Sequence, residues 1–312
     1  LGNLARTLKR LAEAGHRDLY DGQLAELIAA DMKAGGGSLS RDDLAAYRAL
    51  ELDALSFPHG DAVVHGAPGL TAGPTMKDSM RKFAGQISRT GEPTANDYAA
   101  WATAMQQAYV TRFATMGDVD ETRDPTSTTH LTVIDGDGNI VSFTQTLLSA
   151  FGSKVVLPET GILMNNGVFW FDPRPGQPNS IGPGKRPLSN MCPVIVTADD
   201  KPWFALGGSG GRKIMSAVMQ ITSMMIDCGM DFESAFHQPR IDYSGDNRAA
   251  VDTRLSDDVE AAIAAHMPTH REEQTILPNN FAKPNGVMRD RETGEFLGAA
   301  DVMNPVAGAV AG

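Results

Sequence analysis

Hydroxyl residues gather at the start of a predicted β-hairpin. The stretch "TSTTHLTVIDGDGNIVSFTQTL", residues 126–147, alternates as a strand does, turns at residues 135–139 and alternates again. A threonine hydroxyl is a weak nucleophile and needs a base. If Thr128 were the first residue of a chain, its own α-amino group, with a pKa near ~8, would lie within reach of the hydroxyl and could take its proton. The β-propensity of threonine explains the same pattern without any chemistry.

An N-terminal threonine nucleophile needs a backbone break before it, a strand that begins there, and donors for an oxyanion. The sequence places the acidic, loop-like segment "GDVDETRDP" at 117–125, just before the strand. The stretch "GGSGG", residues 207–211, lies between a predicted strand and a predicted helix. Its backbone N–H groups at a helix N-terminus could hold an anion, including an acyl-transfer oxyanion. Close packing of the helix on the strand would explain the same glycines.

A calcium-binding loop is the first rival interpretation of the hairpin turn. Asp135, Asp137 and Asn139 match the first three ligand positions of such a loop. The loop also requires glycine and glutamate at later positions, where this chain has Ile140 and Thr146. The pattern therefore favours a hairpin turn.

Two further ligand-binding patterns are incomplete. His266 and His270 stand four residues apart, but Pro268 interrupts the helix that would bring them onto one metal. The glycines at 207–211 lack the third glycine of a dinucleotide fingerprint and the Lys-Ser/Thr pair of a phosphate loop. Neither pattern therefore predicts a ligand site.

Composition narrows the class of protein. The 312 residues carry a net charge of −11, with no basic cluster that would attract nucleic acid. No apolar run approaches the roughly 20 residues of a membrane span. Cys192 and Cys228 are too few for a disulfide scaffold or a four-thiolate metal site, and we expect two buried free thiols. The chain opens on Leu1 without a recognisable signal peptide, so the compartment cannot be read from this end.

Helices and strands are predicted in separate blocks. Residues 1–120 are predicted to be mainly helical, with a strand or two and with longer helices around 73–87 and 95–115. A second hairpin is expected at 193–208, and a long Pro- and Gly-rich ordered loop at 167–187. Such blocks predict a layered α+β fold rather than a doubly wound sheet.

Several separate motifs resemble one protein family. "TTHLTVIDGDGNIVSFTQTLLSAFGS", "GILMNN", "GPGKRPLSNMCPVIV" and "GGSGGRKI" resemble, in order and spacing, the small subunit of the gamma-glutamyltransferase family. Upstream, "GHRDLYDGQLAELIAADMKAGGGSLSRDDLAAY" resembles the end of that family's large subunit. The resemblance implies an N-terminal-nucleophile hydrolase, an αββα sandwich of two β-sheets between helical layers.

It also implies how the polypeptide is organised. Residues 1–127 would be the C-terminal portion of the large subunit, with the first part of that subunit lacking here. Residues 128–312 would be the small subunit. Both subunits would come from one precursor that cuts itself.

The resemblance assigns the catalytic roles by position. It implies cleavage between Ser127 and Thr128, which makes Thr128 the mature nucleophile. Thr146 matches the family's second threonine, which hydrogen-bonds the nucleophile. Gly210 and Gly211 match the oxyanion pair, in agreement with the interpretation of the glycine stretch by itself.

It also implies the ligands. Ser189 and Asn190 match the adjacent positions that hold the substrate's α-carboxylate. The donor would be a γ-glutamyl amide such as glutathione, and an amine or water would accept the acyl group. No metal or organic cofactor is implied.

Three substitutions depart from the family's glutathione-handling enzymes. Those enzymes carry Asn at the position of Leu148, an acidic or amide residue at that of Gly167, and Asp at that of Trp170. These groups bind the α-amino and α-carboxylate groups of the γ-glutamyl donor. Asp172, two places later than the expected Asp, would take over the ammonium contact through a shifted loop, or the glutamyl pocket is lost.

Two alternatives therefore stay open. The first keeps the machinery and changes the substrate, as in a cephalosporin or glutaryl acylase or a poly-γ-glutamate hydrolase; Trp170 and Phe171 favour a more apolar acyl group. The second is a non-catalytic homologue that is never processed.

Overall fold

The computed structural model describes residues 2–116 and 126–310. The acidic segment predicted at 117–125 lies outside the described residues. Within them, helices α1–α9 span Leu4–Ala14, Asp18–Asp21, Gln23–Ala34, Arg41–Ala46, Gly73–Phe83, Ala95–Thr115, Lys213–Ser223, Phe232–His237 and Asp257–Ala264. Strands β1–β11 span Leu55–His59, Ala62–Gly66, Thr126–Ile134, Ile140–Ser149, Val194–Ala198, Lys201–Ser209, Ile241–Asp242, Ala249–Asp252, Thr269–Glu272, Lys283–Arg289 and Phe296–Ala300.

Internal contacts divide the chain into two compact units. The first comprises Leu1–Leu52 and Leu147–Gly167, and the second comprises Asp53–Thr146 and Val168–Gly312. The boundary predicted at 127/128 marks where the chain would be cut and need not coincide with the boundary between compact units. It stays a prediction.

The first unit is a small helical assembly around α1–α4. The Thr7 hydroxyl of α1 donates to the Thr160 carbonyl at 2.7 Å, which ties the helix to the 147–167 segment. Arg10 forms a two-point ion pair with the buried Asp18, with N···O distances of 2.6 and 2.8 Å. Because the two sequence segments of this unit bind each other directly, residues far apart in the chain pack as one body.

A six-stranded antiparallel sheet organises the second unit. Its strand order is β1-β2-β5-β6-β10-β11. The hairpin predicted at 193–208 is confirmed as β5–β6. Asp199 and Asp200 at its tip both have positive φ, at 51° and 58°, as a tight two-residue hairpin turn requires.

Helices cover one face of this sheet. Alternate residues of β6, Phe204 and Leu206, are fully buried in one apolar cluster with Met215 and Val218 of α7. Since successive strand residues point to opposite faces, Ala205 and Gly207 must face the other side of the sheet. That second face is where the catalytic candidates of the first predicted hairpin lie.

The first predicted hairpin is confirmed as β3–β4, which forms a separate two-stranded sheet. The carboxylate of Asp135 accepts hydrogen bonds from the N–H groups of Asp137 and Asn139, at 3.0 and 2.9 Å, so the turn is closed by its own residues. The outer face of the hairpin is apolar and exposed, and comprises Leu131, Val133, Val141 and Phe143. The inner face carries Thr128, His130, Ser142, Thr144 and Thr146, which alternate with these exposed residues along the two strands.

None of the helices within residues 2–116 and 126–310 combines the length and apolar character of a membrane-crossing helix.

Candidate active site

Thr128 and Thr146 meet across the β3–β4 hairpin. Both are half-buried, and the Thr128 hydroxyl donates to Thr146 Oγ1 at 3.3 Å. The alternation of each strand puts both residues on the inner face, so the two hydroxyls become neighbours although 18 positions separate them. The Ser127–Thr128 peptide bond lies inside β3, Thr126–Ile134.

His130 is a third polar residue on this inner face, two positions after Thr128, and the sequence analysis did not identify it. Its Nδ1 lies 2.7 Å from the Thr144 hydroxyl and its Nε2 lies 3.4 Å from Ser142 Oγ. The ring is only 7% exposed. Burial disfavours the charged imidazolium and lowers the pKa of His130 to about 4, so the ring is neutral at physiological pH.

The His130 ring lies on the backbone of Gly207 in β6. A Cβ on Gly207 would stand 2.2 Å from His130 Cε1, so only glycine admits the ring. The Asn285 side chain in β10 donates to the His130 carbonyl at 2.8 Å, and Asn285 pairs with Gly207 across the sheet. These contacts fix β3, which carries Thr128, against β6 at Gly207. Gly207 lies three residues before Gly210.

Gly210 and Gly211 form the connection from β6 to α7. Their φ angles are 133° and 63°, which side-chain-bearing residues rarely adopt. A Cβ on Gly210 would lie 2.8 Å from Ala282 Cα. Within the described residues, neither glycine N–H donates to a backbone carbonyl, which is what an anion site just before α7 would require. The oxyanion role stays a prediction.

Ser189 and Asn190 are held by Arg112 of α6, a residue that the sequence analysis missed. Ser189 is half-buried and Asn190 is buried. Arg112 donates to the Ser189 carbonyl at 2.9 Å and to Asn190 Oδ1 at 3.2 Å. The binding of a carboxylate by this pair stays a prediction.

Asp172 is already engaged within the chain. Its carboxylate accepts from the backbone N–H of Arg174 at 2.8 Å and from the Arg174 guanidinium at 2.9 and 3.1 Å. These hydrogen bonds hold the pKa of Asp172 below its ordinary value despite its burial. A substrate ammonium would have to compete with Arg174 for this carboxylate.

Asn179 joins the loop around Asp172 to the Ser189 turn. Its side-chain amide donates to the Trp170 carbonyl at 2.5 Å and accepts from the Leu188 N–H at 2.9 Å. The side chain is 4% exposed. Positions 170 and 188 are therefore coupled, which no local sequence signal indicated.

The two cysteines do not offer a nucleophile. Cys192 and Cys228 are free and buried. Burial raises the pKa of both thiols to about 12, so neither forms appreciable thiolate at neutral pH. Among the residues that the structure describes, no group of three or more His, Cys, Asp or Glu side chains is arranged to hold a metal ion.

The sheet with helices on one face, and with a hairpin of inward hydroxyls on the other, is the architecture of an N-terminal-nucleophile hydrolase. The structure of cephalosporin acylase from Bacillus halodurans superimposes with a TM-score of 0.86 at 26% identity, over 96% of this chain and 61% of that protein. The predicted fold class is confirmed.

The chain belongs to the gamma-glutamyltranspeptidase family, whose model matches residues 2–126 and 119–311. It is 29% identical to the glutathione hydrolase proenzyme of Escherichia coli (strain K12), over 96% of this chain and 59% of that protein. It is 32% identical to the glutathione hydrolase proenzyme of Pseudomonas sp. (strain A14), over 76% of this chain and 50% of that protein. The chain thus spans half to three-fifths of the length of these relatives.

The burial of His130 predicts a pH-dependent stability. An unfolded histidine titrates near ~6.5, whereas folded His130 titrates at about 4. Between these values the unfolded chain binds the extra proton, so stability present above pH ~6.5 is lost as the pH falls toward 4, by on the order of 3 kcal/mol. His130→Asn should remove this contribution and flatten the pH dependence of the unfolding free energy, measured by denaturant titration at several pH values.

His16→Asn, which changes an exposed histidine, is the control and should keep the wild-type dependence. An unchanged slope in His130→Asn would show that His130 is not a buried neutral histidine.

Proposed function

We propose that this chain carries the acyl-transfer machinery of a gamma-glutamyltransferase-type enzyme, which cleaves γ-glutamyl amides such as glutathione through an acyl-enzyme on Thr128. The observation that carries the proposal is the hydrogen bond from Thr128 to Thr146 on the inner face of the hairpin. Family membership supports the same chemistry, and the relatives named above are described as proenzymes.

Maturation would use the same hydroxyl as catalysis. Thr128 Oγ1 attacks the carbonyl carbon of Ser127, the acyl group moves from the nitrogen to the oxygen, and water hydrolyses the resulting ester. The products are a new carboxyl group on Ser127 and a free α-amino group on Thr128. That amine then lies beside the hydroxyl it activates.

In turnover, the α-amine takes the hydroxyl proton while Thr128 Oγ1 attacks the amide carbonyl of the donor. The N–H groups of Gly210 and Gly211 stabilise the negative oxygen of the tetrahedral intermediate. The protonated α-amine returns its proton to the leaving amine, which departs. Water or a second amine then attacks the acyl-enzyme and regenerates the free hydroxyl.

Ser189 and Asn190 would bind the α-carboxylate of the donor, since a hydroxyl and an amide N–H₂ both donate to an anion. The ammonium contact of Asp172 requires that Arg174 gives up part of its hold on the carboxylate. Hydrolysis of glutathione requires both of these contacts and is therefore the most direct test of the proposed substrate.

A related acylase activity is the second candidate, favoured by apolar side chains where glutathione-handling relatives are polar. Trp170 and Phe171 are half-buried, and the adjacent Val168 and Phe169 are 55% and 68% exposed. The similar Bacillus halodurans structure is named as a cephalosporin acylase. A poly-γ-glutamate hydrolase or an unprocessed, non-catalytic homologue would also retain the fold.

Thr128→Ala should yield one uncut polypeptide without amidase activity, because it removes the oxygen that both attacks use. Thr128→Ser keeps an oxygen and should still be cut. Denaturing electrophoresis of freshly prepared and incubated protein separates these outcomes, with anilide hydrolysis as the activity. A wild-type chain that stays whole on long incubation would support the non-catalytic alternative, and full turnover by Thr128→Ala would remove Thr128 from the mechanism.

The two enzyme candidates differ in how they use the α-amino group. A γ-glutamyl anilide and a glutaryl anilide share the carboxylate and differ only in that amine. The transferase proposal predicts a higher kcat/KM for the γ-glutamyl donor. Preference for the glutaryl donor, together with loss of that preference in Trp170→Asp, would establish the acylase instead.

A further inference from the structure

Arg112 is a buried positive charge within the second unit. It lies in the last turn of α6 and is 2% exposed. Its Nη1 donates to the Thr71 carbonyl and to Thr75 Oγ1, both at 3.0 Å. Its Nη2 donates to the Ser189 carbonyl and to Asn190 Oδ1. One planar group therefore joins α6, the start of α5 and the Ser189 turn.

The Ser189 turn is also paired with the segment that precedes α5. The Ser189 N–H donates to the Leu70 carbonyl at 2.8 Å, and the Ala72 N–H donates to the Met191 carbonyl at 3.0 Å. Arg112 binds a carbonyl on each side of this pairing. Because its guanidinium is rigid, the spacing of the two segments is fixed by the fork as well as by their own hydrogen bonds.

The contact between Arg112 and Asn190 determines which way the amide points. Arginine has only donors, so Asn190 must present its oxygen to Arg112 and its N–H₂ group to the opposite side. Within the described residues, Nδ2 of Asn190 has no hydrogen-bond acceptor. With the amide reversed, its oxygen would face an incoming carboxylate and repel it.

We infer that Arg112 is a positioning residue for substrate binding, which orients the Asn190 amide so that Nδ2 donates to the α-carboxylate of the donor. The inference rests on the proposed function, since it concerns the carboxylate site of that reaction. Arg112 touches no substrate atom, and it acts through Asn190 and the Ser189 turn.

Removing Arg112 should impair donors that have a carboxylate far more than donors that lack one. In Arg112→Met, the amide is free to turn, and the loss of one well-placed donor to a charged group is worth roughly 10- to 100-fold in affinity. KM for a γ-glutamyl anilide should rise by that factor with little change in kcat, whereas butyryl anilide should keep its wild-type KM. Arg112→Lys retains the charge without the fork and should fall between wild type and Arg112→Met.

Non-additivity shows whether the effect passes through Asn190. Asn190→Ala should raise KM for the γ-glutamyl anilide, and adding Arg112→Met to it should raise KM little further. Arg271→Met is the matched control. Arg271 lies in β9 and also bridges several acceptors, which belong to α9 and to the residue Leu255 before it. The control variant should leave the ratio of the two KM values unchanged.

Binding of L-glutamate, measured by calorimetry, tests the inference without turnover. The affinity should fall by roughly 10- to 100-fold in Arg112→Met and less in Arg112→Lys. Equal glutamate affinity in wild type and a folded Arg112 variant, or equal KM increases for both anilides, would overturn the role of Arg112. A wild-type chain that binds glutamate but hydrolyses no anilide would contradict the proposed function and leave the role of Arg112 to be decided by binding.

Discussion

The hydroxyl pair of the hairpin depends on the contacts that hold β3 on the sheet, above all the close packing of the His130 ring on the bare backbone of Gly207. The ring can lie there because Gly207 has no Cβ, and it stays neutral because it is buried. Thr128 lies two residues earlier on the same face of β3, so this contact also positions Thr128. If β3 slipped by one residue, Thr128 would turn outward, and the apolar Leu131 and Val133 would move to the inner face.

A second buried contact supports Ser189 and Asn190, the pair proposed to bind the carboxylate of the donor. Arg112 is buried among acceptors from two segments, residues 71–75 and 189–190, and a buried charge is costly unless its contacts are well made. Both the hairpin and the Ser189 turn are thus positioned by a buried polar group that takes no part in bond making. In the proposed enzyme, the reacting groups lie on elements whose positions are over-determined, which is the arrangement that pre-organised catalysis requires.

Local sequence patterns predict much of the fold. They predict few of the long-range contacts that hold the site in place. Both hairpins were predicted because alternation and turn residues are contiguous in sequence, and the family motifs pointed to the fold class. His130 and Arg112 were missed because Gly207 and Ser189, their partners, lie 77 residues away in each case. A histidine in a strand and an arginine near a helix end have no distinctive local pattern. Their roles depend on contacts that form only when the chain folds. The helix expected at 73–87 ends at Phe83, where the backbone turns extended at Ala84.

The central claim is that the amine beside the nucleophile is created by cutting the chain at Thr128. Determination of the N-terminal residues of the purified polypeptides tests it most directly. The account predicts a second polypeptide that begins Thr128-Thr129-His130. A single N-terminus after long incubation, or a new one at any other position, would contradict it.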